Sequence, residues 1–409
     1  MTTLKPIYWN FDKLDVAFQG IVQQAMLDAL EQARLQAQAS RSQEALEWRG
    51  EKMHVAGHGA PGGYAYLCDT GPVGAKWFFS RNQSVSGWNI RVSVKSNALA
   101  SMGLGRVRAE IYRYLDAIGA KVFSEAISRV DYCMDLVASE IEAASGEPFA
   151  LNPTAFVMHS HTSRADHEVE TKQSHGISGR YTSVTCGKMP GRQVIVYDKS
   201  KEVQERQKPE WWKHWNAAIE ANGGTPLVGN ERIWRVELRA GKRHLKDRWG
   251  ITTWAELDNK LGDVLSCAAE QIRYTRPSPS DTQRFRWPNH PLWDAVQATI
   301  AADLAEMTSG AKPGVVKEIH RQQLLAVMER QLLGQVPTLI EAKGAPTDAE
   351  SVTSIVSHLV RDHLENEPER FHAAIARSRK KYILLSDEQG QRLRRPTTIL
   401  CGTPAGSGN

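Results

Sequence analysis

The stretch Ser128-Arg129-Val130-Asp131-Tyr132-Cys133-Met134-Asp135-Leu136 decides the fold class of this 409-residue chain. Successive side chains of a β-strand point to opposite faces. One face of this stretch is apolar and comprises Val130, Tyr132, Met134 and Leu136. The other face is polar and comprises Arg129, Asp131, Cys133 and Asp135. The pattern predicts a strand with one side against a core and a polar side opposite.

Three more segments have the same period of two and are predicted strands: Trp88–Ser96, Gln193–Lys199 and Ile233–Arg239. In the last of them, Arg235, Glu237 and Arg239 lie opposite an apolar face. Amphipathic helices are predicted over residues 21–39, 104–118 and 252–273. Because strands and helices do not alternate regularly, we predict an α+β fold on a mixed or antiparallel sheet rather than a doubly wound one.

The composition changes after Tyr274, where Pro277, Ser278, Pro279 and Ser280 form a linker-like break. The pattern beyond it is helical, with helices expected near 292–307, 315–333, 347–364 and 367–385. We therefore predict an α+β domain over residues 1–275 and an all-helical domain of unknown role over residues 290–390. Residues 391–409 are predicted to be a disordered tail.

The overall composition is that of an ordinary globular protein, with 41% apolar and 24% charged residues. No apolar run approaches the ~20 residues that span a bilayer, and the first residues lack the features of a signal peptide. We therefore expect a cytoplasmic protein with no membrane partner. The five cysteines are scattered and never paired as Cys-x-x-Cys, which argues against a disulfide framework or a zinc ribbon.

The positive charge is concentrated in one window of the chain. Residues 180–250 contain fifteen Lys and Arg against eight Asp and Glu, whereas the whole chain has a net charge of only +5. The same window contains Trp211, Trp212, Trp215, Trp234 and Trp249. Cations neutralise phosphates and aromatic rings stack on bases, so the window is a candidate nucleic-acid surface. A solvated charged face is the alternative.

Asp131 and Asp135 stand on the same face of one predicted strand, although Asp is depleted in strands. Like charges so placed repel each other unless a positive group lies near them. A divalent cation such as Mg²⁺ or Mn²⁺ prefers carboxylate oxygens, and Glu237 could complete the ligand set if its strand is adjacent. A network of arginines and carboxylates is the structural alternative.

Five segments, in this order, resemble motifs of the replication initiation factor family. They are Asn10–Val16, the Arg-x-Asp-x-x-x-Asp strand Arg129–Leu136, the Tyr-Asp-Lys-x-x-Glu segment Tyr197–Glu202 with its preceding turn Cys186-Gly187-Lys188, the Arg-x-Glu-x-Arg strand Trp234–Arg239, and Arg284–Pro288 with Pro291-Leu292-Trp293. The family includes rolling-circle replication initiators of plasmids and filamentous phages, and related relaxases. Taken together, the segments cover about residues 8–295, and no single one of them is specific.

The resemblance implies a metal-dependent enzyme that nicks and rejoins one DNA strand at an origin through a 5′-phosphotyrosine intermediate. It assigns the nucleophile to Tyr197, the Mg²⁺ or Mn²⁺ ligands to Asp131, Asp135 and Glu237, and a catalytic phosphate contact to Lys199. The predicted DNA-binding residues are Arg129, Arg192, Arg235, Arg239, Lys242 and Arg243. The implied partners are single-stranded or cruciform origin DNA, a host helicase and a second copy of the chain.

Several alternatives stay open at this point. Tyr181 lies in a predicted loop, from which a tyrosine reaches DNA easily, and is the alternative nucleophile. His159 and His161 are alternative metal ligands, although an exposed loop suits them better. The chain could also be a relaxase for conjugative transfer or mobilisation, or a nucleic-acid-binding protein that does not cut. A metal-dependent hydrolase of small phosphorylated substrates is the weakest alternative.

Overall fold

The computed structural model describes residues 4–158, 172–310, 333, 336–337, 339–369 and 372. His159 and His161, the predicted tail 391–409 and most of the helices expected at 315–333 and 367–385 lie outside the described residues. The chain divides into two compact units, Met1–Lys312 and Pro313–Asn409. Among the described residues, no helix is long and apolar enough to cross a membrane.

One antiparallel sheet of eleven described strands dominates the first unit, in the order β2-β3-β4-β5-β6-β1-β7-β12-β11-β10-β9. Its strands are β1 (Tyr8–Ile21), β2 (Glu44–Trp48), β3 (Glu51–Val55), β4 (Tyr64–Asp69), β5 (Ala75–Ser80), β6 (Ile90–Val94), β7 (Lys121–Val137), β9 (Lys172–Ile177), β10 (Arg180–Gly187), β11 (Arg192–Asp198) and β12 (Ile233–Gly241). Two short strands, β8 (Phe156–Met158) and β13 (Ile272–Tyr274), form a separate pair.

The helices of the first unit are α1 (Gln24–Ser40), α2 (Ser96–Ala117), α3 (Ala138–Ser145), α4 (Lys199–Glu205), α5 (Glu210–Ala221), α6 (Trp254–Gln271) and α7 (Pro291–Asp303). A π-helical turn, His244–Arg248, follows β12. In the second unit, the helix Ala349–Asn366 begins where the Asp348 carboxylate accepts a hydrogen bond from the Ser351 amide at 2.9 Å. The prediction of an α+β fold with an antiparallel sheet and helices toward the C-terminus is confirmed.

The core lies on the helix-covered face of the sheet, where α1 packs on β2–β4, α2 on β1, β6 and β7, and α6 on β11 and β12. The four apolar side chains of the Ser128–Leu136 stretch are fully buried there. The helix predicted over 104–118 is the second part of α2, which begins earlier and is interrupted at Gly103. Gly103 has φ 73° and ψ 166°, a backbone conformation that glycine adopts without a steric penalty.

Four of the five tryptophans of the basic window are core residues, which corrects their expected role in base stacking. Trp211 and Trp215 lie one turn apart on the buried face of α5, and Trp234 lies on the apolar face of β12. Trp249 is also buried, and Trp212 is partly buried. A ring that is enclosed in the protein cannot stack on a base, so the aromatic half of the argument for a nucleic-acid surface is wrong.

The first unit extends beyond the boundary expected at 275–290, because α7 is part of its core. The Trp293 indole is fully buried and donates a hydrogen bond to the Ala269 carbonyl at 2.8 Å. At the end of α7, the Asp303 carboxylate accepts hydrogen bonds from the Trp9 indole at 2.9 Å and from the Tyr132 hydroxyl at 2.6 Å. These contacts tie α7 to β1 and β7.

We expect acid to destabilise the first unit through His290, which caps α7. The ring nitrogen Nδ1 accepts a hydrogen bond from the Leu292 amide at 3.2 Å, and burial, helped by Arg276, lowers the pKa of His290 to about 4. The imidazole of the unfolded chain takes up a proton below pH ~6.5, whereas the folded one does not. The free energy of unfolding should therefore fall by about 2 kcal/mol between pH 7 and pH 5 through this group alone.

The variant His290→Asn isolates this effect, since asparagine also caps helices but does not titrate. Urea unfolding at pH 7 and pH 5 should show a loss for His290→Asn that is about 2 kcal/mol smaller than for the wild type. An equal loss in both proteins would contradict the prediction. The buried His244, whose pKa is also lowered by burial, contributes to the acid sensitivity that remains in the variant.

Candidate active-site cleft

The polar face of the sheet brings the predicted site residues together in cross-strand rows. In one row, Asp135 of β7 pairs with Arg235 of β12, and Arg235 pairs with Tyr197 of β11. The neighbouring row places Cys133 beside Glu237, and the next places Asp131 beside Arg239. Because residues paired across strands point to the same face, Asp131, Asp135, Glu237 and Tyr197 share one side of the sheet.

A polar cleft of about 480 Å³ opens on this face, over β10–β12 and the start of α4. The side chains that line it include Asp12, His175, Ser183, Tyr197, Lys199 and Glu237. Arg239, from the next row, also lines it. Three of these residues, namely Asp12, His175 and Ser183, had no role in the sequence-based prediction.

Tyr197 is half-buried in the wall of this cleft. In the part of the first unit that the structure describes, no hydrogen bond involves its hydroxyl, and the residue lines the cleft. Burial raises the pKa of Tyr197 well above its ordinary value; the charge of Arg235 opposes this effect and that of Glu237 adds to it. The phenol is therefore protonated at neutral pH and needs a base in order to act as a nucleophile.

Lys199 lies beside Tyr197 at the first position of α4 and is almost fully buried. Its ammonium group is 2.7 Å from the Glu202 carboxylate, 5.8 Å from the centre of the Tyr197 ring and 4.5 Å from that of Trp211. Burial, reinforced by the nearby charge of Arg235, lowers the pKa of Lys199. Lys199 thus lines the cleft with its ammonium group held by a neighbouring acid, and its catalytic phosphate contact stays a prediction.

Arg235 is completely buried, and its guanidinium is occupied by acids. It donates two hydrogen bonds to the Asp135 carboxylate, both at 2.6 Å, and one to Asp12 at 2.6 Å. It also lies over the Trp211 ring, 4.2 Å from its centre. A guanidinium so enclosed cannot reach a DNA phosphate, so the predicted DNA-binding role of Arg235 is corrected to a structural one.

Asp131 and Glu237 are buried acids that two partly exposed arginines hold in place. Arg129 donates to Asp131 at 2.9 and 3.0 Å, and Arg239 donates to Glu237 at 2.7 Å and lies 3.6 Å from Asp131. Burial raises the pKa of Asp131 against the hydrogen bonds of Arg129, and repulsion by Glu237 adds to the rise. Burial acts in the same sense on Glu237, but the charge and hydrogen bond of Arg239 outweigh it and lower the pKa of Glu237.

The three acids predicted to bind metal do not fit a divalent cation as their side chains stand. Asp135 is fully buried and bound by Arg235 and by the Trp215 indole at 2.7 Å. Asp131 and Glu237 are occupied by Arg129 and Arg239. Among the described residues, no group of three His, Cys, Asp or Glu side chains could hold a metal ion. Arginines therefore supply the positive charge that the paired aspartates require, and the dependence on Mg²⁺ or Mn²⁺ stays a prediction.

The remaining predicted DNA-binding residues differ in exposure. Arg192 is buried and is not available to DNA, which corrects its predicted role. Lys242 and Arg243 are exposed just after β12, and the side chains of Arg129 and Arg239 are 27% and 26% exposed. The exposed cations lie toward the end of β12 where Gly241 pairs with Arg129.

Tyr181, the alternative nucleophile, lies on β10 rather than in the expected loop. Its side chain is 46% exposed, and its strand partner is Gly176 of β9. It does not line the cleft, whereas its neighbours Thr182 and Ser183 do. A bulge between Tyr181 and Ser183 shifts the pairing there, so β10 turns Ser183 rather than Tyr181 toward Tyr197.

Comparisons with known proteins add little to this geometry. The sequence matches no family model and no curated protein. Among solved structures, one similar chain is a rolling circle replication initiator protein from Geobacillus stearothermophilus, with 13% sequence identity and a TM-score of 0.35. The match covers 75% of this chain and 98% of that chain. A likeness at this TM-score carries no argument about the function of this chain.

Proposed function

We propose that this chain nicks and rejoins one DNA strand at a replication origin, as rolling-circle initiators do, through a covalent 5′-phosphotyrosyl link to Tyr197. The observation that carries the proposal is the position of Tyr197 in a charged cleft on the polar face of the sheet, where its hydroxyl has no hydrogen-bond partner among the described residues. The ordered motifs of the replication initiation factor family support the same assignment. A relaxase for mobilisation or conjugative transfer would use the same chemistry on a different DNA site.

In the proposed reaction, the Tyr197 oxygen attacks a backbone phosphate and the 3′ oxygen of the neighbouring nucleotide leaves. Arg239 lines the cleft and is partly exposed, so it can contact a phosphate oxygen while it remains close to Glu237. Lys199 adds positive charge beside the Tyr197 ring. The exposed Lys242 and Arg243, with the partly exposed Arg129, would neutralise further phosphates of the bound strand. No step is assigned to a metal ion, because the predicted ligands are occupied by arginines.

A second candidate function is nucleic-acid binding without cleavage. The pairing of Asp131 and Glu237 with the partly exposed Arg129 and Arg239 favours it, since these arginines present positive charge on the polar face of the sheet without a catalytic ion. This candidate requires salt-sensitive binding, no nick and no covalent adduct.

The test is a nicking reaction with the full chain and a supercoiled plasmid that carries the DNA flanking its own gene. We expect open circles and a protein–DNA adduct that survives denaturation. Mass spectrometry of the digested adduct should find the nucleotide on the peptide that contains Tyr197. Parallel reactions with Mg²⁺, Mn²⁺ or EDTA test the predicted cofactor. Binding to DNA without an adduct under all three conditions would favour the second candidate.

A further inference from the structure

A histidine faces the cleft in the same cross-strand row as Tyr197. His175 of β9 pairs with Ser183 of β10, and Ser183 pairs with Tyr197. All three side chains line the cleft. Neighbouring strands lie about 4.8 Å apart, so the Cα atoms of His175 and Tyr197 are roughly 10 Å apart across the small side chain of Ser183. That separation lets the imidazole approach the hydroxyl directly or through one water molecule.

His175 is also the uncommitted titratable side chain of the cleft. Asp12 is bound by Arg235, Glu237 by Arg239, and Glu202 by Lys199 and Lys208. Asp198 accepts hydrogen bonds from Ser200, Lys201 and Arg232, and Glu205 pairs with Lys201. Apart from Tyr197 itself, the described titratable side chains that line the cleft all have such a partner except His175. An acid already held by a cation is a weak proton acceptor, whereas an imidazole without a partner has a ring nitrogen that can accept a proton.

We propose that His175 is a catalytic base of this cleft and takes the proton of the Tyr197 hydroxyl as the phenolic oxygen bonds to phosphorus. This inference rests on the proposed function. His175 is then the base that a buried, protonated phenol requires. It lies on an exposed strand, outside the five segments that resemble the family.

The step balances without any further reactant except water. The Tyr197 O–H bond breaks, and its proton moves to the unprotonated ring nitrogen of His175. The phenolic oxygen forms a bond to phosphorus with the released electron pair, and the bond between phosphorus and the 3′ oxygen breaks. The 3′ oxygen keeps that pair and takes a proton from water, and the imidazolium gives its proton to the hydroxide that remains. The reverse sequence rejoins the strand.

The test uses the full chain and an oligonucleotide that contains the cleavage site mapped in the nicking reaction. Single-turnover adduct formation is measured at saturating DNA for the wild type, His175→Ala and His54→Ala. His54 is a matched control, because it is an exposed strand histidine on β3 that does not line the cleft. We expect the saturated rate of His175→Ala to fall by about 100-fold or more and that of His54→Ala to stay unchanged.

Added imidazole should restore adduct formation by His175→Ala, because a free base can enter the space left by the ring. The melting temperature of His175→Ala should equal that of the wild type, since the His175 ring is exposed. The proposal is overturned if the saturated rate of His175→Ala is within about twofold of wild type, a margin worth less than ~0.5 kcal/mol. It is also overturned if imidazole restores nothing, or if the defect lies only in the DNA concentration needed for half-saturation.

The proposed function and the role of His175 as a base fail in distinguishable ways. If the wild-type protein forms no adduct, or if mass spectrometry finds the nucleotide on another residue, the proposed function and this inference both fail. If the wild type forms an adduct through Tyr197 and His175→Ala forms it as fast, only the inference about His175 fails.

Discussion

Replacing Arg235 with methionine should lower the free energy of unfolding by about 3–5 kcal/mol, because the change leaves buried acids without their counter-charge. Asp135 is fully buried, and among the described residues its carboxylate would keep only the hydrogen bond from Trp215 at 2.7 Å. Asp12 would lose its 2.6 Å contact as well. Methionine fills a similar volume, so the loss measures the charge network rather than a cavity. Urea unfolding at pH 7 gives the value directly.

Two further variants separate this explanation from a general loss of packing. Adding Asp135→Asn to Arg235→Met removes the unpaired buried carboxylate and should recover a large part of the free energy of unfolding. A buried ion pair can often be replaced by neutral residues without a net loss of stability. Arg113→Met is the surface control, because Arg113 is 51% exposed and its ion pairs with Glu51 and Glu110 should be worth about 0–1 kcal/mol. Unchanged stability of Arg235→Met, together with weaker DNA binding, would restore the phosphate-binding role predicted from the sequence.

The period of two in β7 was enough to predict the fold class and the polar face. The alternation from Val130 to Leu136 separates core from polar residues, and the matching patterns of β11 and β12 place Glu237 and Tyr197 on the same face as Asp131. Such strands carry their orientation in the sequence, because a shift of one residue would turn every charged side chain into the apolar core on the other face of the sheet.

The partners of the charged residues could not be predicted in the same way. Alternation shows which face a side chain occupies, but not whether Asp135 meets a metal ion or Arg235. Charge counting likewise does not separate an exposed indole from a buried one. The spacing of Trp211 and Trp215, four residues apart, was the available signal of a buried helix face.

The strands β9 and β10, at one end of the sheet, were missed for a different physical reason. β9 is exposed along its whole length, so Lys172–Ile177 has no apolar face and no period that indicates a strand. β10 begins with exposed residues and is bulged next to Tyr181. His175 and Ser183 reach the cleft because β9, β10 and β11 pair side by side in the sheet. No local sequence pattern reveals that pairing.

Replacing Tyr197 with phenylalanine should abolish the covalent adduct, lowering its rate of formation by more than about 1,000-fold, because the attacking oxygen is removed. The fold should not change, since the described residues offer the Tyr197 hydroxyl no hydrogen bond to lose and phenylalanine keeps the ring beside Lys199. DNA binding, measured by the mobility of an origin oligonucleotide, should also stay close to that of the wild type.

Tyr181→Phe is the matched variant, because it removes the same hydroxyl from an exposed tyrosine of the adjacent strand that does not line the cleft. We expect it to form the adduct at the wild-type rate. The reverse result, with Tyr181→Phe inactive and Tyr197→Phe active, would assign the nucleophile to Tyr181 on β10. It would contradict the proposed role of the cleft. Since both variants keep their aromatic ring, a difference between them can be attributed to one oxygen atom and its position on the sheet.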